Sequence, residues 1–347
     1  MKIVKKYLMF LIILLLSITT ASCSTEINNG GNSNNNNNSN TNTNDKTKEL
    51  LDIEYTMYEV FTEHNDFANT NYDYIYMGYY PQHEITDKTI VSALDKISTT
   101  NEFGYIEYLD HYFVKFTVVY NFYHAIEGQE GPEVFFTATG YEPGTVHYFL
   151  VEPIKWRVLY QIDNNLVLLA ENVLDAKCFS THTETRIING KEIYPSNYVY
   201  SDIREWLNNN FYNQAFTDEE RAMINLTENI NECPNSYLLD YEQAGTSEDY
   251  VFLPSYQDTI NRNYGFLSSP IAHESRVSQA TNFASANGLV NHIYNGSYTN
   301  VWLIRNAYEF VREYASNVSE DGKVTDYFFP ESPNTGIRPM MNITLSE

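Results

Sequence analysis

Cysteine is nearly missing from this chain: three residues in 347, at positions 23, 178 and 233, with no Cys-x-x-Cys pair. That scarcity excludes a small disulfide-framework protein and a zinc ribbon, both of which need closely spaced thiols. Basic residues are also few, 21 Lys plus Arg against 45 Asp plus Glu, for a net charge of −24. No basic stripe is left to neutralise phosphates, which argues against a nucleic-acid partner and against electrostatic adhesion to anionic lipid. The eight histidines are dispersed, without His-Glu-x-x-His or another tight ligand pattern, so no metal and no cofactor is expected. No Gly-x-Ser-x-Gly elbow and no phosphate-cradling glycine loop occurs, and no catalytic residue is assigned. Apolar runs of membrane-spanning length are absent. The one continuous run, residues 7–16, is too short to cross a bilayer permanently.

That short run is where the positive signals begin. Lys2, Lys5 and Lys6 stand before it and Thr20-Ala21-Ser22-Cys23 closes it, the layout of a lipoprotein signal peptide over residues 1–22, with Thr20 where leucine is more usual. The expectation is cleavage before Cys23 and acylation of that cysteine, leaving the chain anchored in the cell membrane and facing away from the cytoplasm. A diacylglycerol, with or without a third chain, anchors stably where a single chain would not. Loss of the three leader lysines takes the net charge from −24 to −27. Residues 28–44 consist of Asn, Ser, Thr and Gly alone, with nothing apolar to offset the entropy of ordering them. Residues 23–50 are therefore read as the lipidated cysteine and a disordered tether, reaching about 25 Å as a flexible coil. In an exported chain Cys178 and Cys233 can pair as a disulfide or remain two separate buried thiols.

Leu51, Tyr55, Tyr58 and Phe61 fall near helical spacing and predict a lead-in helix within residues 51–71. Residues 72–347 are read as a single domain, with residues 83–144 an elaboration that includes a β-prone run at 112–123. Residues 72–80 predict a first strand. From Pro153 onward Ile154, Trp156, Val158 and Tyr160 alternate on one face, Asp163-Asn164-Asn165 turns, and residues 166–170 return as a buried strand. Ser201 caps a helix whose apolar stripe is Ile203, Trp206, Leu207 and Phe211, and Thr217-Asp218-Glu219-Glu220 is a capping box. Residues 251–255 predict a strand ending in a helix cap, and residues 278–287 a helix closed by Gly288. Residues 300–305 predict a strand, residues 318–325 a hairpin with a type I′ turn at Asp321-Gly322, and residues 336–343 a closing strand. Strands and short helices alternate without βαβ regularity, which gives an α+β fold.

Six ordered motifs carry a family resemblance: Tyr76-Met77-Gly78-Tyr79-Tyr80-Pro81-Gln82, Val151-Glu152-Pro153-Ile154-Lys155-Trp156-Arg157-Val158-Leu159, Asp202-Ile203-Arg204-Glu205-Trp206-Leu207-Asn208, residues 280–288, Trp302-Leu303-Ile304-Arg305 and Gly336-Ile337-Arg338-Pro339. Together, from Tyr72 to the C-terminus, they resemble the domain-of-unknown-function family DUF6273. The tail also resembles the closing strands of formylglycine-generating-enzyme-like domains. That likeness implies a C-type-lectin-like fold of twisted antiparallel sheets with short peripheral helices. Sulfatase-activating relatives use reactive cysteines late in the chain, and here none follows Cys233, so that chemistry does not transfer. The calcium-dependent sugar motifs of C-type lectins are interrupted at Glu331-Ser332-Pro333-Asn334, and Trp302 is followed by Leu303.

Trp156, Trp206 and Trp302 lie at core-facing spacing inside these motifs and are read as packing residues. Arg157, Arg305 and Arg338 sit in strand motifs of an arginine-poor chain, where they tie the core together through carbonyls or acids; the functional alternative is recognition of a carboxylate or a sugar. Thirty tyrosines supply amphipathic surface suited to either sheet packing or sugar and protein contact. The leading expectation is a non-enzymatic surface module that binds a glycan or a surface protein. The alternative is a cell-envelope hydrolase acting on polysaccharide or peptidoglycan through carboxylates distant in sequence.

Overall fold

The tyrosine-rich run and the alternating run after Pro153 become the two longest strands, Thr70–Glu84 and Val146–Ile162, paired antiparallel with Ile75 opposite Trp156. The computed structural model describes residues 51, 53–121, 131–231, 245–307 and 313–346, which fall within one compact unit, Thr43–Glu347. Around the long pair an eight-stranded sheet is assembled: Phe61–Asn65 lies outside Thr70–Glu84, while Asn165–Ala170, Met340–Thr344 and Val251–Phe252 follow in turn beyond Val146–Ile162. A second, five-stranded sheet comprises Val324–Phe328, Ala315–Val318, Trp302–Ala307, Gly336–Ile337 and Asp175–Ala176. Among the described strands pairing is antiparallel except between Trp302–Ala307 and Gly336–Ile337, which meet through the parallel bridge Trp302 to Gly336. With only short helices between mostly antiparallel strands, the chain is α+β. Among the described residues no helix is long and apolar enough to cross a membrane.

Local signals formed as expected where they were contiguous. Asp163 and Asn164 make a two-residue turn between Val146–Ile162 and Asn165–Ala170, with Asp163 at φ 48°. Ser201 caps Asp202–Trp206 by accepting from Arg204 N at 3.3 Å. Thr217 and Glu220 exchange the two capping-box bonds of the helix Asp218–Met223. Ser255 likewise caps Tyr256–Thr259.

Four expectations are corrected. Residues 53–60 form no helix and Phe61–Asn65 is a strand, because a tyrosine-lined strand lies alongside: Phe61 stacks on Tyr76 at 5.2 Å and Tyr55 meets the same ring edge-on at 4.9 Å. The face carrying Ile154 and Trp156 does not continue to Tyr160. A bulge between Val158 and Tyr160 turns Leu159 inward and leaves Tyr160 exposed. The helix expected at 278–287 is confined to Asn282–Ala286, since Thr281 is its N-cap. At Asp321-Gly322 only Gly322 has positive φ, and a five-residue loop replaces the type I′ turn, with Gly322 N donating to Ser319 O at 2.9 Å.

The closing strand is divided at Arg338-Pro339, its first half in the second sheet and its second half in the first. The elaboration at 83–144 extends the first sheet. His111–Thr117 pairs with the start of Val146–Ile162, and the helices Lys88–Leu94 and Pro132–Thr139 flank it in sequence.

Candidate functional site

Trp156, Trp302, Arg157, Arg305 and Arg338 of the motifs lie in the interior, and Trp206 is half-buried. Trp156 is fully buried and donates Nε1 to Met77 O at 2.8 Å; Trp302, also fully buried, donates to Arg276 O at 3.2 Å. Trp206 is half-buried beneath the Lys177 ammonium, 4.5 Å from its ring centre. Arg157 grips Glu171 with two parallel bonds of 2.8 Å and donates to Ser275 O at 2.9 Å. Arg338 donates to Ala170 O at 2.8 Å and stands 3.6 Å from the same carboxylate. Burial, followed by the like charge of Arg157, pushes the Arg338 pKa down. Arg305 bonds Leu253 O at 2.9 Å and Asp258 at 3.1 Å. Cys178 is half-buried, and burial raises its thiol pKa. Cys23 and Cys233 lie outside the described residues.

A cleft of about 700 Å³ opens elsewhere, where the ends of the two long strands meet. Glu84 closes Thr70–Glu84 and His147 opens Val146–Ile162, so antiparallel pairing brings together residues 63 apart in sequence, His147 Nδ1 and Glu84 Oε1 at 2.6 Å. Tyr141 donates its hydroxyl to Glu84 Oε2 at 2.9 Å. Burial first, and then the charge of Glu84, push this phenol well above its ordinary pKa, which keeps it a donor. Tyr141 is placed by Gly140, the left-handed C-cap of Pro132–Thr139 at φ 84°.

His147 Nε2 meets the Thr145 hydroxyl at 2.8 Å. Hydroxyl, imidazole and carboxylate thus stand in a row, the order of a nucleophilic triad. The threonine hydroxyl, however, donates to Glu142 O at 2.5 Å. Its proton is directed away from His147, and the row orients Glu84 rather than activating a nucleophile.

The rest of the wall is amide-rich. Asn300 is buried and bonded to Val290 O and Asn291 Oδ1, and Asn291 in turn holds Thr139 O at 3.1 Å, so both amides are fixed in place. Asn282 accepts from Glu84 N at 3.2 Å. Gln279 is exposed, and two large aromatics beside it are also open to solvent, Phe136 at 52% and Tyr298 at 63%. None of these residues stood out in the sequence. Gln279 and Asn282 fell within the helix expected at 278–287 and Asn300 within the strand expected at 300–305, but only pairing of the two long strands brings Glu84 to His147.

A second concavity of about 420 Å³ holds Glu152, which is buried and accepts from Tyr55 at 3.1 Å and from His83 through both backbone and ring. The Glu152 hydrogen bond raises the His83 pKa against the opposing pull of burial. Among the described residues no group of three or more His, Cys, Asp or Glu is arranged to hold a metal ion.

The family model described as a domain of unknown function, DUF6273, matches residues 163–345. The chain belongs to the DUF6273 family. No curated protein and no solved structure matches it. The DUF6273 match begins later than Tyr72, where the motif resemblance starts, and leaves out the first two motifs. It therefore omits both long strands and, in the cleft, Glu84, Phe136, Tyr141, Thr145 and His147, while including Gln279, Asn282, Tyr298 and Asn300. The cleft is built jointly by the DUF6273 region and the segment before it.

Proposed function

We propose that this chain is a lipid-anchored binding module, held at the membrane by acylated Cys23 on an Asn-rich tether and presenting the cleft outside the cytoplasm to a glycan. One observation carries the reading: two solvent-open aromatics, Phe136 and Tyr298, share a cleft with fixed amides and a hydrogen-bonded carboxylate. Sugars offer an apolar C–H face and a rim of hydroxyls, and this wall supplies a partner for each. We read the antiparallel sheets with their outlying helices as a C-type-lectin-like scaffold in which loops make the site, a likeness of form that does not by itself assign a ligand.

Paired-carboxylate hydrolysis is the less favoured reading. Glu84 already accepts bonds on both oxygens, from His147 and Tyr141, and is held as a recognition group rather than left free to exchange a proton.

Tyr298→Ala and Phe136→Ala are each expected to weaken binding to an immobilised glycan about tenfold, about 1.4 kcal/mol, with an unchanged unfolding midpoint. Binding that survives both substitutions at full strength would place the glycan elsewhere. The anchor has its own test: Cys23→Ser abolishes palmitate labelling and releases the chain from the membrane fraction, and unchanged labelling would overturn the lipoprotein reading.

A further inference from the structure

The charge of the cleft wall narrows what it can accept, given the reading that it binds a glycan. Glu84 and Glu142 both line the cleft, and among the described residues neither lysine nor arginine lines it. Glu142 is exposed and makes no ion pair among the described residues. His147 cannot serve an incoming anion as a donor, because Nδ1 is held by Glu84 and Nε2 by Thr145. The whole chain, with a net charge of −24, is biased in the same direction.

We propose that the cleft selects sugars carrying no anionic group, and prefers amino sugars to their uncharged counterparts, with Glu84 and Glu142 as the specificity-determining residues. A carboxylate has about four lone-pair sites, and in Glu84 the bonds from His147 and Tyr141 occupy two of them. The remaining sites accept from a sugar hydroxyl, and more strongly from an ammonium group, since a charged donor strengthens the bond. The open ring of Tyr298 adds a face over which the same cation is attracted. A uronate or phosphate-bearing sugar meets two carboxylates as it loses water, while both nitrogens of His147 are already held by Glu84 and Thr145, and it is rejected by repulsion rather than by shape.

The test is binding of the full chain to immobilised oligosaccharides grouped by charge, including a β-1,4-gluco series that differs only in bearing a C2 amine, no charge, or a C6 carboxylate. Amine-bearing members are expected to bind most tightly and carboxylate-bearing members at least tenfold more weakly than the uncharged ones. Glu142→Gln, an exposed substitution, is expected to narrow that gap severalfold, and Glu84→Gln to narrow it further. Anionic glycans bound as tightly as neutral ones, or a gap that neither variant alters, would overturn the charge selection and leave glycan binding standing. A folded chain that binds no glycan of any charge would overturn the functional reading, and the selectivity with it.

Discussion

Replacing Glu171 with alanine is expected to cost about 3–5 kcal/mol, a large share of the roughly 5–15 kcal/mol that holds an ordinary domain folded. Arg157 and Arg338 are 1% and 0% exposed, and among the described residues Glu171 is the one carboxylate that faces both. Removing it leaves two guanidinium groups in the interior without a counter-charge, and that uncompensated charge, more than the lost bonds, sets the size of the effect. The pair also joins Val146–Ile162, which the DUF6273 model does not cover, to residues that it does, so the loss is felt across that boundary. Urea unfolding checks it: the midpoint falls sharply while the slope is unchanged. A Glu171→Ala chain within about 1 kcal/mol of the parent would show that the cluster is not what stabilises this region.

The same carboxyl sets an acid limb. Burial alone would raise the Glu171 pKa, but the charges of Arg157 and Arg338 and the Arg157 hydrogen bonds together outweigh it and hold the pKa below its ordinary value. A carboxyl depressed on folding stabilises fully above its unfolded pKa, about 4.3, and loses that contribution as pH falls through its folded pKa. Stability is therefore expected to be flat for this group near neutrality and to decline below about pH 4. The Glu171→Ala chain should lack that component of the decline.

Gly322→Ala is the second large effect. Gly322 has φ +78°, and a Cβ placed there would sit 2.1 Å from the His273 carbonyl oxygen, a backbone atom that cannot rotate away. Its own carbonyl accepts the buried Arg276 Nε at 2.6 Å, so the loop cannot retreat without releasing that guanidinium. Left-handed strain of about 1–2 kcal/mol adds to overpacking of about 1–3 kcal/mol, for an expected cost of about 2–5 kcal/mol. Gly190 provides the control. It has the same φ of +78° and nothing within 4 Å of its missing Cβ, so Gly190→Ala should cost only the strain, about 1–2 kcal/mol. Thermal or urea unfolding of the two variants separates torsion from packing. Equal losses would show that the crowding at His273 relaxes freely.

The corrected elements share a cause. The Leu51–Phe61 spacing fits a helix until a neighbouring strand offers Tyr76 as a stacking partner, and tertiary contact then outweighs a weak local preference. The bulge after Val158 changes which face Leu159 and Tyr160 take, although nothing in the alternation announces it. Asp321-Gly322 is a common hairpin turn signal in isolation, but the loop is set by the bonds His273 and Arg276 make across it.

From the chain alone came what is written in neighbouring residues: the caps at Ser201, Thr217 and Ser255, the turn at Asp163-Asn164, the α+β class and four of the six motifs that the DUF6273 match contains. Each rests on interactions within a few residues, where composition and order suffice. Tertiary structure alone decided the cleft. Glu84 and His147 are 63 residues apart, and Tyr298 and Asn300 lie far beyond both in the chain. The meeting of Glu84 and His147 depends on the register between Thr70–Glu84 and Val146–Ile162, a long-range pairing that no short stretch of sequence encodes.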